Sequence, residues 1–219
     1  RLPGDDPLCG RCRLDFRPVP PPICSCCGRP LQRLMGACIC RRCRSGTVPF
    51  AAARAMGLFE GRLRSAIHRF KFEGRMELGQ ILGDLLAGFV RGAPTLVDSD
   101  LVVPVPMHHR RQRARGYNHA TLLAEPVARA LRVPLAERAL IRLTATAPQT
   151  ALRRAERQAN VRGAFALPPE RADLVRGRSI LLVDDVLTSG ATAAECARVL
   201  LHAGAAAVRV ATLARTEEG

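Results

Sequence analysis

Between Ser179 and Thr192 the chain reads S-I-L-L-V-D-D-V-L-T-S-G-A-T, and no other stretch limits the fold as much. The run Ile180 to Val183 is too short for a helix and unbroken in its apolarity, which predicts a strand buried on both faces of a parallel sheet. Two acids then end the predicted strand. Asp184 and Asp185 are thereby expected at the carboxyl edge of the sheet, where open α/β folds take their ligands. Thr188-Ser189-Gly190-Ala191-Thr192 follows as a loop of small residues and leads into a helix predicted over Ala193 to Ala203, stopped at Gly204. Hydroxyls, a residue without Cβ and the open amides of a first helical turn make a cradle for one phosphate group, because N–H donors and helix dipole both favour an anion. Carboxylates repel phosphate, so the two acids suit sugar hydroxyls or a hydrated magnesium ion. A ligand with a ribose between its phosphates satisfies both halves.

The rest of the chain is read around that stretch. A length of 219 residues, 47% hydrophobic and 24% charged, suits one ordinary α/β domain with a small appendage. No apolar run approaches the ~20 residues needed to cross a bilayer, and Arg1 to Asp6 lacks a signal-peptide core, so a soluble intracellular protein is expected.

Eight of the nine cysteines lie between Cys9 and Cys43, in a segment holding the pairs Cys9/Cys12, Cys24/Cys27 and Cys40/Cys43. Under reducing conditions C-x-x-C pairs signify metal more often than disulfide. Twelve residues separate Cys27 from Cys40, close to a four-cysteine zinc ribbon, and Gly28 follows the second pair where a knuckle needs a residue tolerant of positive φ. Cys24, Cys27, Cys40 and Cys43 are therefore the first expected ligands of a structural zinc. Cys9 and Cys12 are further metal candidates, with Cys26 and Cys38 either completing their site or standing by. Redox chemistry is the competing use of such pairs, but this segment lacks the βαβ setting of a thioredoxin-type site. The prolines from Pro18 to Pro22 form a stiff spacer between the first and second pairs. The module is expected over residues 1–48 and the α/β domain over 49–219.

Beyond the cysteines, a strand is predicted within Phe50 to Phe59. Leu63, Ile67 and Phe70 have helical spacing, Met76 to Arg91 reads as an amphipathic helix, and Leu101 to Val105 as a strand. A further helix is expected from Asn118 to Leu131, and a last strand over Val208 to Leu213, with a strand near Ala51 to Gly57 completing the sheet. Lys71 is the only lysine among 34 basic residues. Arginine-biased composition accounts for it blandly; the sharper reading is a ligand contact that a guanidinium cannot make. The stretch from Met107 to Gly116 is expected to be a loop, and places four arginines in six positions, Arg110, Arg111, Arg113 and Arg115. It is either a solvated basic loop or a clamp for pyrophosphate, whose oxygens arginine grips in bidentate fashion.

All thirteen positions from Ile180 to Thr192 agree with the signature of the type I phosphoribosyltransferases, which this chain resembles. That resemblance implies that Asp184 and Asp185 hold the ribose hydroxyls of phosphoribosyl pyrophosphate and that Thr188, Ser189, Gly190, Ala191 and Thr192 hold its 5′-phosphate. With C-x-x-C-G-R-P at Cys24 to Pro30, Lys71-Phe72, Val103-Pro104-Val105-Pro106, Arg115-Gly116-Tyr117-Asn118 and then Gln149, Arg157, Asn160 and Phe165, the resemblance narrows to the ComF family. It implies a type I phosphoribosyltransferase-like parallel sheet with flanking helices behind a double zinc-ribbon module. The family usually has glutamine where His119 stands, and four cysteine pairs where this chain has three. Thr144 to Gly163, with Arg153, Arg154, Arg157 and Arg162, fits the loop that closes over the ligand, and equally an exposed basic helix.

A net charge of +15 favours polyanions by counterion release, and up to two zinc sites, each about −2 with four thiolates, leave it basic. With no Trp, one Tyr and seven Phe, stacking on bases is a lesser contribution. The family resemblance implies single-stranded DNA uptake in transformation beside a helicase-like partner, in the cytoplasm or peripherally at the inner face of the membrane. Two functions compete at this point: a DNA-uptake accessory that binds phosphoribosyl pyrophosphate with magnesium, and an active phosphoribosyltransferase acting on a nucleobase or amine. In the second, Arg110, Arg111 and Arg157 are the expected catalytic residues, stabilising pyrophosphate as it departs. No general base is assignable, with His108, His109 and His119 as candidates.

Overall fold

The computed structural model describes residues 15–31, 38–46, 48–144 and 161–216. In chain order these form α1 (Arg41–Arg44), β1 (Ala52–Leu58), α2 (Gly61–Phe72), α3 (Met76–Arg91), α4 (Pro94–Val97), β2 (Leu101–Pro104), α5 (His109–Arg115) and α6 (His119–Leu131). A small hairpin of β3 (Ile141–Arg142) and β4 (Phe165–Ala166) follows, then α7 (Ala172–Val175), β5 (Ser179–Leu187), α8 (Ala191–His202) and β6 (Ala207–Arg215). Among the described residues the main sheet has four strands, all parallel, in the order β1-β6-β5-β2. The strand expected near Ala51 does join it, at the edge next to β6.

Side chains leave a strand on alternate faces, and in β5 both sets are apolar because helices cover both sides. Ile180 and Leu182 enter one core with Leu101, Val103, Val208, Val210 and the inner face of α8. Leu181 and Val183 enter the other, with Ala211, Leu213 and helices α2, α3 and α6. In that second layer α3 approaches α6 closely. A methyl on Gly83 would stand 2.8 Å from Pro126 Cγ and 3.0 Å from the Leu122 carbonyl oxygen. Pro126 lies inside α6 and has no N–H to give that carbonyl, so the turn carrying it packs on a glycine face of α3 instead of on a side chain.

Two expectations are corrected. β5 does not stop at the acids but runs on to Leu187, because β6 continues beside it, pairing Asp184 with Thr212 and Leu187 with Arg215. Met107 to Gly116 is not simply a loop. His108 caps α5 through its Nδ1, which accepts from Arg110 N–H at 3.3 Å, and Gly116 ends the helix at φ 83°.

The cysteine segment packs on this sheet. Cys24 and Cys27 belong to the same core as Phe50, Ala53 and Val210. Ala53 N–H donates to the Cys26 carbonyl at 2.6 Å, and Arg215, only 3% exposed, donates to the Cys27 carbonyl at 2.7 Å. Gly28 has φ 67°, and a methyl there would lie 2.4 Å from the Ala53 carbonyl oxygen, so no larger residue fits between knuckle and strand.

Candidate functional site

The carboxyl end of β5 organises the site. The ladder to β2 ends where Pro104 pairs with Val183, and β5 continues past it beside β6 alone. Adjacent residues of a strand face opposite ways, and the two acids separate accordingly. Asp185 lies on the α2 side, where Lys71 at the last turn of that helix brings Nζ to 2.7 Å from Oδ1. This is the position that the solitary lysine occupies, a contact a compact ammonium makes as a point charge. Asp184 lies on the opposite side, where it feels the charge of Arg142, and its Oδ1 accepts the Asp185 N–H at 2.8 Å. Burial, with the neighbouring Asp185 charge second, pushes the Asp184 carboxyl up to about 7.

The turn into α8 has the features of an anion cradle. Gly190 takes φ 74° at the N-cap, which a side chain would strain whatever space surrounds it. Ser189 is buried and its Oγ accepts from Ala191 N–H at 3.4 Å. Thr188 and Thr192 are half-buried at either end of the turn. A helix start opened by a left-handed glycine is the kind of backbone turn that binds phosphate, through its N–H groups and the helix dipole.

A second group closes around Lys71. His119 is 4% exposed, packs edge-on against Phe70 and Tyr117, and its Nε2 lies 2.6 Å from Arg115 Nη1. Arginine can only donate, so Nε2 accepts and the imidazole is neutral. Burial chiefly, opposed by Asp185 and reinforced by Arg115 and Lys71, lowers its pKa to about 4. With its acceptor nitrogen taken, His119 positions Arg115 and the Lys71 backbone. The neighbouring motif is explained in the same terms. Tyr117 donates its hydroxyl to the Phe70 carbonyl at 3.0 Å, and Asn118 caps α6 while holding the Val105 carbonyl at 3.1 Å. Arg115 also lies 5.1 Å from the centre of the Phe72 ring. Arg115 and His119 thus fix the end of α2 from which Lys71 reaches Asp185.

Of the expected arginines, Arg110, Arg111 and Arg113 line the exposed surface of α5. Arg111 is near enough to Arg142 to act on its charge. Arg157, Cys9, Cys12 and all but the ends of Thr144 to Gly163 lie outside the described residues. Sequence reasoning missed Arg142 and Arg42. Arg142 packs its guanidinium 5.3 Å from the centre of the Phe165 ring, close to Asp184, and only the β3–β4 hairpin brings it there. Arg42 donates from Nη1 to the Ser189 carbonyl. Its sole signal was its place between Cys40 and Cys43.

Cys24, Cys27, Cys40 and Cys43 gather their sulfurs within 4.8 Å of one another, in the order the pairing predicts, and could hold a metal ion. The Cys27 and Cys40 sulfurs are 3.7 Å apart, against about 3.8 Å for two ligands of a tetrahedral metal–thiolate centre. Cys26 instead turns its thiol to the Phe50 carbonyl at 3.5 Å, and Cys38 is exposed.

Residues 118–219 match the family described as phosphoribosyl transferase domain. Over nearly its full length the chain is similar to DNA utilization protein YhgH of Escherichia coli K12, 34% identical over 230 residues with 98% of each chain covered. It is 32% identical over 211 residues to Competence protein F of Haemophilus influenzae, covering 95% of this chain and 90% of that one. With Competence protein ComFC of Bacillus subtilis it shares 30% identity over 224 residues, covering 98% and 87%. Among solved structures it is similar to a glutamine phosphoribosylpyrophosphate amidotransferase from B. subtilis, at TM-score 0.47 and 20% identity over 68% of this chain and 30% of that one.

Proposed function

This chain belongs to the ComF family, and from that premise we propose that it binds phosphoribosyl pyrophosphate with magnesium and serves single-stranded DNA uptake. The observation that carries the ligand reading is the β5 end itself: two carboxylates, one of them paired with Lys71, followed within five residues by a left-handed glycine that opens α8. Gly190 to Thr192 and Ser189 hold the 5′-phosphate, and the acids orient the ribose hydroxyls. A hydrated magnesium ion would be held near the two acids through its water, where it would relieve the burial and like-charge repulsion that push the Asp184 carboxyl up. When bound, that ion supplies charge for the pyrophosphate oxygens. Lys71 neutralises Asp185 through their 2.7 Å ion pair.

The four clustered thiols are a structural zinc site in this reading, within a module over 1–48 ahead of a ligand domain over 49–219, and its Cys24–Cys27 knuckle packs on the sheet. One zinc per chain is expected by elemental analysis of protein purified without chelator. Less than one would remove the metal from the account.

The DNA role draws on the names of the relatives, on the charge of +15 and on the exposed arginines of α5. No helix among the described residues is long and apolar enough to cross a membrane. A helicase-like partner and a place at the inner face of the membrane belong to the same proposal. Binding without turnover is the expected chemistry, since His119, the buried imidazole beside Lys71, has its acceptor nitrogen engaged by Arg115. A pyrophosphate-release assay across nucleobases and amines tests this. Sustained release with any acceptor establishes instead the active transferase, with Arg110, Arg111 and Arg157 as the groups that meet the growing charge.

A further inference from the structure

The metal module and the phosphate turn are far apart in sequence but meet through one side chain. Arg42 stands in α1 between two thiol ligands, Cys40 and Cys43, and its Nη1 donates to the backbone carbonyl of Ser189. A methyl group on Gly190 would lie 3.9 and 4.0 Å from its two terminal nitrogens. We propose that Arg42 is a positioning residue that makes the shape of the phosphate turn depend on the metal. The inference rests on the proposed occupancy of the four thiols, and its ligand arm on the phosphate reading of the turn.

Two physical features couple the metal to the turn. First, a trans peptide is planar, with its C=O and N–H pointing in opposite directions. By holding the Ser189 carbonyl, Arg42 fixes the Gly190 N–H to point away from the module, and Gly190 is the residue whose left-handed backbone starts α8. A glycine peptide left to itself rotates more readily than any other, and this rotation would turn a donor of the cradle into an acceptor that repels phosphate. Second, the two halves of the module are anchored unequally. The Cys24–Cys27 knuckle is tied to the sheet by Ala53, Arg215 and Arg54, which donates to the Ser25 carbonyl at 2.9 Å. The half that carries Arg42 is tied to that knuckle by Ser25 N–H to the Cys38 carbonyl at 2.7 Å and by Cys40 N–H to Cys24 Sγ at 3.3 Å, with the four sulfurs between them. Four thiolates around one metal bind these halves strongly, whereas α1 has only four residues and no buried side chain of its own. Metal loss therefore frees α1 and, with it, the grip on Ser189.

The test uses the full chain, metal-loaded or chelator-treated, as wild type, Arg42→Ala and Arg42→Lys. Hydrogen exchange in the peptide covering residues 187–192 is read without any ligand. Wild type with metal is expected to protect this peptide; chelation and Arg42→Ala should each raise its exchange about tenfold, and chelation of Arg42→Ala should add little. Arg42→Lys, which keeps the charge but not the planar fork, should fall between. Unchanged exchange in metal-loaded Arg42→Ala overturns the proposal, as does an equal effect of chelation in wild type and Arg42→Ala. Each variant must still carry wild-type metal content, which shows that its module is folded; protein purified without metal overturns the metal reading and the coupling with it. In a parallel titration with ribose 5-phosphate, Arg42→Ala should bind about tenfold more weakly than wild type. Absence of binding in metal-loaded wild type sinks the phosphate reading alone, since the exchange result stands without ligand.

Discussion

Asp184 and His119 carry opposite strains on either side of the site. The Asp184 carboxyl, pushed up to about 7, keeps its proton in the folded chain at pH values where the unfolded chain has lost it. Stability is thus lost as pH rises from about 4 to 7. His119, lowered to about 4, does the reverse: the unfolded chain takes up a proton below about 6.5 that the folded chain refuses, and stability is lost as pH falls through that range. Between about 4 and 6.5 the two slopes oppose each other. Asp184→Asn removes the first and leaves the second. Denaturant unfolding without ligand or magnesium should therefore find the variant more stable than wild type at pH 7.5, by no more than about 4 kcal/mol, with the difference shrinking toward pH 4. A difference independent of pH would mean that Asp184 is not strained by its burial. Ligand binding should be lost in the same variant, the expected trade between stability and function at a site that stores charge.

Two elements make separate predictions. The α3–α6 contact depends on a missing side chain: Gly83→Ala places a methyl 2.8 Å from Pro126 and 3.0 Å from the Leu122 carbonyl, and should cost about 1–3 kcal/mol in thermal or denaturant unfolding despite the better helix propensity of alanine. A stabilised variant would mean that the helices part easily. On α5, replacing exposed Arg110, Arg111 and Arg113 together should reduce the salt dependence of single-stranded DNA binding, lowering the slope of log K against log salt by about 2. An unchanged slope would place the DNA elsewhere on the surface.

At the scale of the molecule, the parts of the fold that local pattern determines were legible in advance. Met76 to Arg91 has the apolar spacing of a helix packed on one side, and the structure has a helix with those bounds. The apolar run at Ile180 is buried on both faces, as its lack of alternation requires. The pairs Cys24/Cys27 and Cys40/Cys43 meet as their spacing predicts, while Cys9/Cys12 lies outside the described residues. What was not legible depends on neighbours that sequence does not place. Asp184 and Asp185 look like a strand end until β6 is known to run beside them to Arg215, and only that continuation sends the two carboxylates to opposite faces. Arg142 has no motif; a hairpin delivers it. Lys71 and His119 were singled out from composition and from departure from a family pattern, and their meeting around α2 is a consequence of packing between Phe70 and Tyr117.

The central claim is that the end of β5 holds a phosphoribosyl pyrophosphate. Calorimetric titration of the metal-loaded chain with that compound in magnesium addresses it most directly, with Asp184→Asn/Asp185→Asn and Gly190→Val as controls whose zinc content matches wild type. The account predicts saturable binding of one ligand per chain in wild type and none in either control, with Gly190→Val also losing ribose 5-phosphate. No heat from wild type with zinc present and the fold intact, or binding that survives in both controls, would contradict it.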